Sequence, residues 1–352
     1  MKQEDIQKFL AASGLPEHLA VQAAQEYDVV GLKRYQEIKE LFLSFVRVMA
    51  TAIEERSLYN ANHSRRMAGC GERFLDYLNA QAAAAGLPLP FASAHKRELL
   101  VSIWLHDVGK ITTPLEVMDK AERLSEVQKA DIHNRLKIIR LQNRLDYLEG
   151  KISAAQRDEV AAQVGQAAAE IDKISKSGFV TEEQLAWLAA VQSRTFTDED
   201  GLVCPWLEPD EYAMLCVRKG TLSAAERQVM EHHVESTDKL LAQIKFSADY
   251  ANVRSWAAAH HELLDGSGYP KHLTAAEIPP EVRIITILDI FDALIAPDRP
   301  YKPAKTVAEA LQILQTMAED EGKLDAELVR QFAASHCWED GGQEATIVSL
   351  IE

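Results

Sequence analysis

Cysteine is scarce in this chain of 352 residues, which contains four: Cys70, Cys204, Cys216 and Cys337. Their spacing matches no paired disulfide or zinc motif, so we expect reduced thiols in a cytoplasmic protein. The chain also lacks an apolar run long enough to cross a bilayer, and we expect neither a membrane span nor a secretory signal. A disulfide-stapled secreted domain and a membrane-spanning protein are therefore both disfavoured.

Positive charge is also in short supply. Lysine and arginine number 38 against 54 aspartates and glutamates, and the formal net charge is −16. Binding to duplex nucleic acid needs a basic face, so we expect no duplex partner. A small anionic substrate remains compatible with this balance, because metal ions and a few local cations can hold a phosphate inside an acidic protein.

Strand signals are weak, since β-branched runs are short and no alternating pattern is flanked by hairpin residues. Abundant alanine, leucine, glutamate and glutamine predict an all-α fold. Residues 1–35 are predicted to form short helices that break near Gly14-Leu15-Pro16. A longer helix over residues 35–54 is expected to collect its apolar side chains on one face: Ile38, Leu41, Phe42, Phe45, Val48 and Met49.

These patterns divide the chain. We interpret residues 1–54 as a helical N-terminal lead-in that packs, dimerises or regulates, and residues 55–352 as the main domain, with an insertion at about 121–220. Within the insertion two apolar series keep a three-four spacing on either side of Gly150: Ile138, Leu141, Leu145 and Leu148, then Val160, Val164, Ala167, Ile171 and Ile174.

Two amphipathic helices joined by a short link predict an antiparallel hairpin. The hairpin either only packs against its own chain, acts as a regulatory arm or pairs with a second chain, so a homodimer through the N-terminal or hairpin helices is one expectation. The following loop, residues 195–209, is predicted to be an ordinary turn, because its acids lack the ligand order of a calcium loop.

Six residues of metal-ligand type occur beside apolar helical segments: His106, Asp107, His233, His260, His261 and Asp289. One histidine on an apolar face is ordinarily a hydrogen-bonded core residue, but six on separate helices can converge inside a bundle. Imidazole and carboxylate ligands without thiolates suit iron, manganese, zinc or nickel. The set exceeds what one open ion takes, and two ions bridged by a carboxylate suit in-line displacement at phosphorus.

Three cations accompany this set. Lys110 lies one helical turn beyond His106, while Arg299 and Lys302 flank a proline that stiffens their loop. All three can bind phosphate oxygens. For Arg299 and Lys302 the alternative is that they are solvated loop charges.

The motifs themselves resemble a known family. His106-Asp107 with Gly109-Lys110 resembles the signature of the HD superfamily of metal-dependent phosphohydrolases. The stretch HHELLDGSGYP at residues 260–270 resembles the second signature of the HD-GYP branch at every fixed position, and residues 289–302 resemble its third block. The resemblance covers about residues 63–332, apart from the insertion, and implies an HD-type helical bundle.

The same resemblance implies hydrolysis of cyclic dinucleotides, chiefly cyclic di-GMP, by two divalent ions. Iron or manganese is expected first, with nickel, zinc or magnesium as alternatives. Carried over by position, it implies that the six residues above are the metal ligands, that Asp107 bridges the ions, and that Asp107 and Lys110 are catalytic. It implies these substrate contacts: Lys110, Asp265, Gly266, Gly268, Tyr269, Arg299 and Lys302.

The chain departs from the family pattern at two places. The family commonly has Pro and Gly where this chain has Val234 and Thr237, which we expect to alter only local packing. Some members bind a third metal through a Glu four residues before the position of His63, where this chain has Tyr59. We therefore expect two ions, with His63 contacting a ligand or the substrate, or else capping its helix.

The expected reaction opens cyclic di-GMP to the linear dinucleotide, with further cleavage to GMP as an option, in bacterial second-messenger signalling. One alternative is an HD phosphohydrolase acting on another nucleotide, such as cyclic GMP-AMP. The other is a signalling or binding module with weak catalysis.

Overall fold

The computed structural model describes residues 17–57, 62–198, 200–296 and 304–339. The described residues are mainly α-helical, which confirms the predicted fold class. Thirteen α-helices lie in these ranges: α1 Glu17–Glu54, α2 His63–Ala84, α3 Ser93–Leu105, α4 Leu115–Met118, α5 Glu126–Leu148, α6 Ala154–Lys176, α7 Glu182–Gln192, α8 Pro209–Leu215, α9 Ala224–Leu241, α10 Val253–Ala257, α11 Pro280–Ile295, α12 Val307–Glu319 and α13 Ala326–Ser335. Two 3₁₀ turns cover Val108–Thr112 and Ala248–Tyr250.

A small β-hairpin interrupts the helices where an ordinary turn was predicted. Strands β1, Thr195–Thr197, and β2, Val203–Pro205, pair antiparallel with Thr195 opposite Pro205. Asp198 Oδ1 closes the turn by accepting the backbone N–H groups of Asp200 and Leu202. The prediction missed these strands because three residues are too few to show an alternating pattern.

Helix α1 differs from its prediction in length and in the face that it buries. It is continuous from Glu17, so the short helices predicted for residues 1–35 are wrong in the described part, while the break at Gly14-Leu15-Pro16 lies outside it. The buried side chains are Leu43, Val46, Ala50 and Ile53. Ile38, Leu41, Phe45 and Val48 are instead 51–71 % exposed. Both faces of α1 are apolar, so periodicity could not indicate which one meets the core.

The main hydrophobic core joins the second half of α1 to α2, α3 and α10–α13. Phe74 of α2, Phe291 of α11 and Phe332 of α13 stack edge to face in it, with ring centroids 5.0–5.4 Å apart for the two pairs that share Phe332. Beside them the sulfur atoms of Cys70 and Cys337 lie 3.1 Å apart. This core forms one side of the candidate site.

The insertion has a second core of its own. Helices α5 and α6 form the predicted hairpin, and α7, α8 and Trp206 complete its packing. The predicted residues of α6 are buried or partly buried, but those of α5 are not, since Ile138, Leu141, Leu145 and Leu148 are 45–68 % exposed. The residues of α5 that pack are Ile132, Leu136 and Ile139. Helix α5 has apolar side chains on two adjacent faces. Its sequence alone does not indicate which of these faces packs against the other helices of the insertion.

None of the helices in the described ranges combines the length and the apolar character that a membrane crossing requires.

Candidate metal centre and substrate pocket

The His-Asp pair lies where helix α3 ends. Residues 98–105 of this helix are buried, His106 follows as the C-cap, and Asp107 leads into the 3₁₀ turn Val108–Thr112. Gly109 allows α9 to approach this turn, because a Cβ atom there would lie 1.9 Å from the carbonyl oxygen of His233. The approach brings His233 of α9 to the His-Asp pair.

Thr237, one turn beyond His233, joins the two segments. Its hydroxyl donates to the carbonyl oxygen of His106 at 3.0 Å and accepts the backbone N–H of Gly109 at 2.9 Å. The departure from the family pattern at this position therefore does more than alter local packing, since Thr237 holds the His-Asp motif directly.

The adjacent histidines lie on a turn and not on a helix. Helix α10 ends at Ala257, and His260 and His261 follow in the turn, although the apolar pattern before them is also compatible with a helix that reaches this pair. The Thr286 hydroxyl of α11 binds the His260 carbonyl oxygen at 2.8 Å and fixes the turn against that helix. A turn frees the two rings from helical spacing, so both can face the centre.

Three of the histidines are oriented in the same way. The Nδ1 atoms of His106, His233 and His260 lie 2.6–2.7 Å from the carbonyl oxygens of Ile103, Met230 and Ala257, each three residues earlier. A carbonyl oxygen only accepts, so each Nδ1 carries the hydrogen and each Nε2 keeps a lone pair. Metal-binding histidines use this arrangement.

Asp107 lies at the centre of the Nε2 atoms. Its Oδ1 is 3.4 Å from His233 Nε2 and 3.8 Å from His260 Nε2, and its Oδ2 is 3.2 Å from His106 Nε2. Asp107 Oδ1, His233 Nε2 and His260 Nε2 are buried without a hydrogen-bond partner among the described residues. Buried polar atoms are normally satisfied, so converging lone pairs without hydrogens fit the binding of a cation.

The other side of the cluster is built around His63 and Asp289. His63 Nε2 lies 3.2 Å from His106 Nε2 and 3.3 Å from Asp289 Oδ1. Its Nδ1 is 2.7 Å from Asp292, and Arg66 donates two hydrogen bonds to that carboxylate. His63 is thus supported by a carboxylate in the way that metal-binding histidines are. The sequence had predicted instead that His63 contacts a metal ligand or the substrate, or caps its helix.

Three groups of potential ligands therefore overlap, and within each group the ligand atoms lie no more than 4.8 Å apart. They are His233 with His260 and His261; His106 with Asp107 and His260; and His63 with His106 and Asp289. All six residues predicted as metal ligands are included. Tyr59, whose identity led to the expectation of two ions, lies outside the described residues.

Burial and neighbouring charges set the protonation states that metal binding needs. Burial, reinforced by His261 and His106, lowers the pKa of His260 well below its ordinary value, and burial lowers the pKa of His261 to about 3. Burial opposes ionisation of Asp107, but His106 and Lys110 hold its pKa well below the ordinary range. His260 and His261 are therefore neutral and Asp107 is ionised at neutral pH, which are the states that bind a metal ion.

His63 has the opposite shift. Its burial disfavours the charged form, but hydrogen bonds to Asp289 and Asp292 outweigh that effect and raise its pKa to about 9. Without a metal ion His63 is therefore a cation between two carboxylates.

The glycine loop, residues 265–270, folds back onto His261. The N–H of Tyr269 donates to the His261 carbonyl oxygen, and the two rings stack with centroids 4.7 Å apart. A Cβ on Gly268 would lie 2.3–2.6 Å from backbone atoms of residues 261–263, so this fold requires glycine. Glu262, 2 % exposed, accepts the N–H groups of Lys271 and Leu273 and anchors the end of the loop.

Asp265 and Gly266 shape the outer part of that loop. Asp265 Oδ1 accepts both the N–H and the hydroxyl of Ser267, and Gly266 has a φ of 78°. Their predicted contact with substrate stays a prediction, because the loop residues 265–269 are not among those that line the cavity beside the centre.

That cavity has a volume of about 510 Å³, within the range of small-molecule sites. His261 and Asp289 line it from the metal centre, and Lys110, whose Nζ is 2.6 Å from Asp107 Oδ2, lies beside them. Arg299 and Lys302 lie outside the described residues, while the described residues on either side of their segment, Ala296 and Ala304, both line the cavity.

Several supporting residues had no predicted role. Glu262 and Asp292 lie inside the recognised motifs, and an acidic residue among apolar or glycine residues could have predicted their supporting role. Lys176, Thr221 and Lys305 also line the cavity, and no local pattern marks them.

Comparison with known proteins agrees with this geometry. Residues 207–328 match the family model described as HD domain. The chain is 39 % identical over 98 residues to a 3′3′-cGAMP-specific phosphodiesterase 3 of Vibrio cholerae, covering 28 % of this chain and 20 % of that protein. It is 41 % identical over 100 residues to the cyclic di-GMP phosphodiesterase response regulator RpfG of Xanthomonas campestris, covering 28 % and 25 %.

A cyclic di-GMP phosphodiesterase of Thermotoga maritima is 32 % identical over 124 residues, covering 34 % of this chain and 31 % of that protein. The aligned parts thus span less than a third of each of these relatives. Residues 207–328 thus match an HD domain, and the ordered motifs and converging ligand atoms make the chain similar to the HD-GYP branch of the HD domain phosphohydrolases.

Proposed function

We propose that the chain is a metal-dependent phosphodiesterase that opens a cyclic dinucleotide, chiefly cyclic di-GMP, to the linear dinucleotide and optionally on to GMP, in bacterial second-messenger signalling. The observation that carries the proposal is the group of buried ligand atoms without hydrogen-bond partners beside a lysine-lined cavity. The names of the three relatives supply the substrate class.

The ligand set suits divalent ions. Imidazole and carboxylate groups without thiolates favour iron or manganese, with nickel, zinc or magnesium as alternatives. We propose two ions held by His106, Asp107, His233, His260, His261 and Asp289, with Asp107 shared between them and His63 as an additional ligand. Such ions supply Lewis acidity at a phosphate and lower the pKa of an attacking water.

The protein's own residues orient the ligand His261 and neutralise the negative charge of the phosphate. Tyr269 stacks on His261 and fixes its ring at the cavity wall. Lys110, positioned by Asp107, places a cation where negative charge grows on phosphorus. Arg299 and Lys302, whose flanking residues line the cavity, are proposed to bind the same phosphate oxygens, and Asp265, Gly266 and Gly268 shape the loop that carries Tyr269.

A second substrate has a specific observation in its favour. The relative from Vibrio cholerae with 39 % identity is named as specific for 3′3′-cGAMP. Both substrates present the same phosphodiester to the centre and differ in one base, so the centre itself does not separate them. We propose cyclic di-GMP first and 3′3′-cGAMP second.

We also propose a cytoplasmic location, a division into residues 1–54 and 55–352 with the insertion at 121–220, and a homodimer through α1. The separate core of the insertion supports the division.

The exposed residues Ile38, Leu41, Phe45 and Val48 support the dimer, because their three-four-three spacing is that of a two-helix seam.

The test is anaerobic purification, metal analysis and chromatography of cyclic di-GMP and 3′3′-cGAMP after incubation. We expect about two equivalents of iron or manganese and a linear product. Asp107→Asn should reduce turnover at least about a thousandfold and lower the metal content, whereas the exposed Asp131→Asn on α5 should behave like wild type. Full turnover in Asp107→Asn, or metal-loaded protein that cleaves neither substrate, would refute the proposal.

A further inference from the structure

The cavity has a wall that the HD-GYP motifs do not supply. His261, Asp289 and Ile290 line it on the side of the metal centre. Other lining residues belong to the insertion and its return to the main domain: Lys176, Ser177, Gly178, Gly220 and Thr221. These residues lie at the end of α6 and just before α9, so the insertion borders the proposed substrate site directly.

This wall is held in place by a fully buried arginine. Arg123 is 0 % exposed, and its Nη1 donates to the Ile174 carbonyl oxygen at 2.7 Å while its Nε donates to that of Val217 at 2.9 Å. Its backbone N–H donates to the Ser175 carbonyl oxygen at 2.9 Å. Arg123 therefore joins the entry of the insertion to the end of α6 and to its exit.

The entry and exit are also joined through the backbone. The N–H of Gly220 donates to the carbonyl oxygen of Gly178 at 3.0 Å, and Phe179 pairs with Lys219 in an isolated antiparallel bridge. Thr221 donates to the Lys120 carbonyl oxygen at 2.9 Å. These contacts give the segment that follows Lys176 a defined position beside the cavity.

Charge suggests what this wall binds. A cyclic dinucleotide has two phosphodiesters, and only one can lie at the metal centre in a given turnover. Lys110 is already paired with Asp107 at 2.6 Å. Lys176 has a side chain 65 % exposed, and its ion pair with Glu122 is long, at 3.9 Å. Lys176 is therefore available to a second anion on the far wall.

We infer that the insertion completes the substrate pocket and that Lys176 binds the phosphodiester that is not being cleaved. This inference rests on the proposed function. It makes the insertion part of substrate recognition, beyond an arm that only packs or recruits a partner. Lys176 contributes equally to ground and transition states, because its phosphate does not react, so it affects KM more than kcat.

The experiment compares two substrates and three charge reversals in the full chain. Cyclic di-GMP carries two phosphodiesters, whereas bis(p-nitrophenyl) phosphate carries one and can engage the metal centre alone. The variants are Lys176→Glu, Lys305→Glu on the other side of the cavity, and Lys173→Glu. Lys173 is the matched control, since it lies on α6 one turn earlier, is 70 % exposed and does not line the cavity.

We expect Lys176→Glu to raise the KM for cyclic di-GMP about tenfold relative to the KM for bis(p-nitrophenyl) phosphate. Lys173→Glu should leave that ratio at its wild-type value. Equal ratios in the two variants, or a proportional loss with both substrates, would overturn the inference. A raised ratio in Lys305→Glu alone would also overturn it, by assigning the second phosphate to the other wall.

Failure of the proposed function gives a different result. Wild-type protein would then cleave bis(p-nitrophenyl) phosphate and leave cyclic di-GMP and 3′3′-cGAMP intact, which overturns the function and the inference together. Wild-type cleavage of cyclic di-GMP with an unchanged ratio in Lys176→Glu overturns the inference alone.

Discussion

At the scale of single residues, the site depends on which nitrogen of each histidine carries the hydrogen. His106, His233 and His260 each donate Nδ1–H to a carbonyl oxygen three residues earlier, which directs three Nε2 lone pairs at Asp107. The backbone itself supplies these acceptors, so no additional side chain is needed to set the tautomer. His63 differs, because Asp292 supports it instead.

Thr237 provides a test at this scale. Thr237→Val keeps the side-chain shape but leaves the His106 carbonyl and the Gly109 N–H buried without their shared partner. We expect the free energy of unfolding to fall by about 1–3 kcal/mol, measured by urea denaturation. Thr237→Ser retains the hydroxyl and should lose less. A larger loss for Ser than for Val would show that the methyl packing matters more than the hydrogen bonds.

At the scale of elements, the glycine loop acts as a folded brace for His261. Its end is held by Glu262 through Lys271 and Leu273, and its middle returns close enough for Tyr269 to stack on the imidazole. At residue 268 the loop passes so close to the backbone of residues 261–263 that only glycine fits. The loop therefore fixes the position of His261, which lines the cavity.

Gly268→Ala should displace the loop, because its Cβ would meet backbone atoms at 2.3–2.6 Å. We expect turnover of cyclic di-GMP to fall at least about tenfold, since His261 loses its support. Gly266→Ala is the control: its nearest neighbours would lie at 3.7 Å, so it adds only the strain of a positive φ. A smaller loss of turnover in Gly268→Ala than in Gly266→Ala would contradict this account.

Helix α1 carries the second prediction at this scale. Phe45→Glu places a charge in the exposed stripe of Ile38, Leu41, Phe45 and Val48. We expect wild-type protein to have twice the chain mass in light scattering at micromolar concentration and the variant to have one chain mass. Val127→Glu, on an apolar position of α5 that is 70 % exposed, should remain dimeric. Monomeric wild-type protein would exclude the seam.

At the scale of the whole molecule, the metal centre joins segments that are far apart in the chain. Potential ligand atoms come from α2, the residues that follow α3, α9, the turn at 260–261 and α11. Bound ions would therefore tie the helices of the main domain together. The insertion has its own core, and its residues Lys176, Ser177 and Gly178 line the cavity beside this centre.

Chelation should lower the thermal stability of the metal-loaded protein. Ions present at about a hundred times their dissociation constant stabilise a folded protein by about 2.7 kcal/mol. For a chain of 352 residues this corresponds to a fall in Tm of about 4 °C. Differential scanning calorimetry with and without chelator measures this change. Asp107→Asn should show a smaller shift than wild type, and an unchanged wild-type Tm would contradict a structural contribution from the metal.

The sequence alone was sufficient for the helical class and the hairpin, because these depend on composition and spacing, and the six residues that it predicted as ligands lie close together in the structure. It did not determine which face of α1 or α5 is buried, since both helices are apolar on more than one side. It also missed the hairpin β1–β2, whose strands are too short for a periodic signal, and the role of Thr237.

The chain by itself determined the chemistry of the site, because imidazole and carboxylate groups are properties of residues. Only the tertiary structure decided that His63 lies beside His106 and Asp289, that Asp292 and Glu262 support the site, and that Lys176 lies at the cavity. Those facts are distances between segments that are tens to hundreds of residues apart. Local periodicity cannot encode such distances, which are set by the packing of α2, α9 and α11 and by the clasp of Arg123 on the insertion.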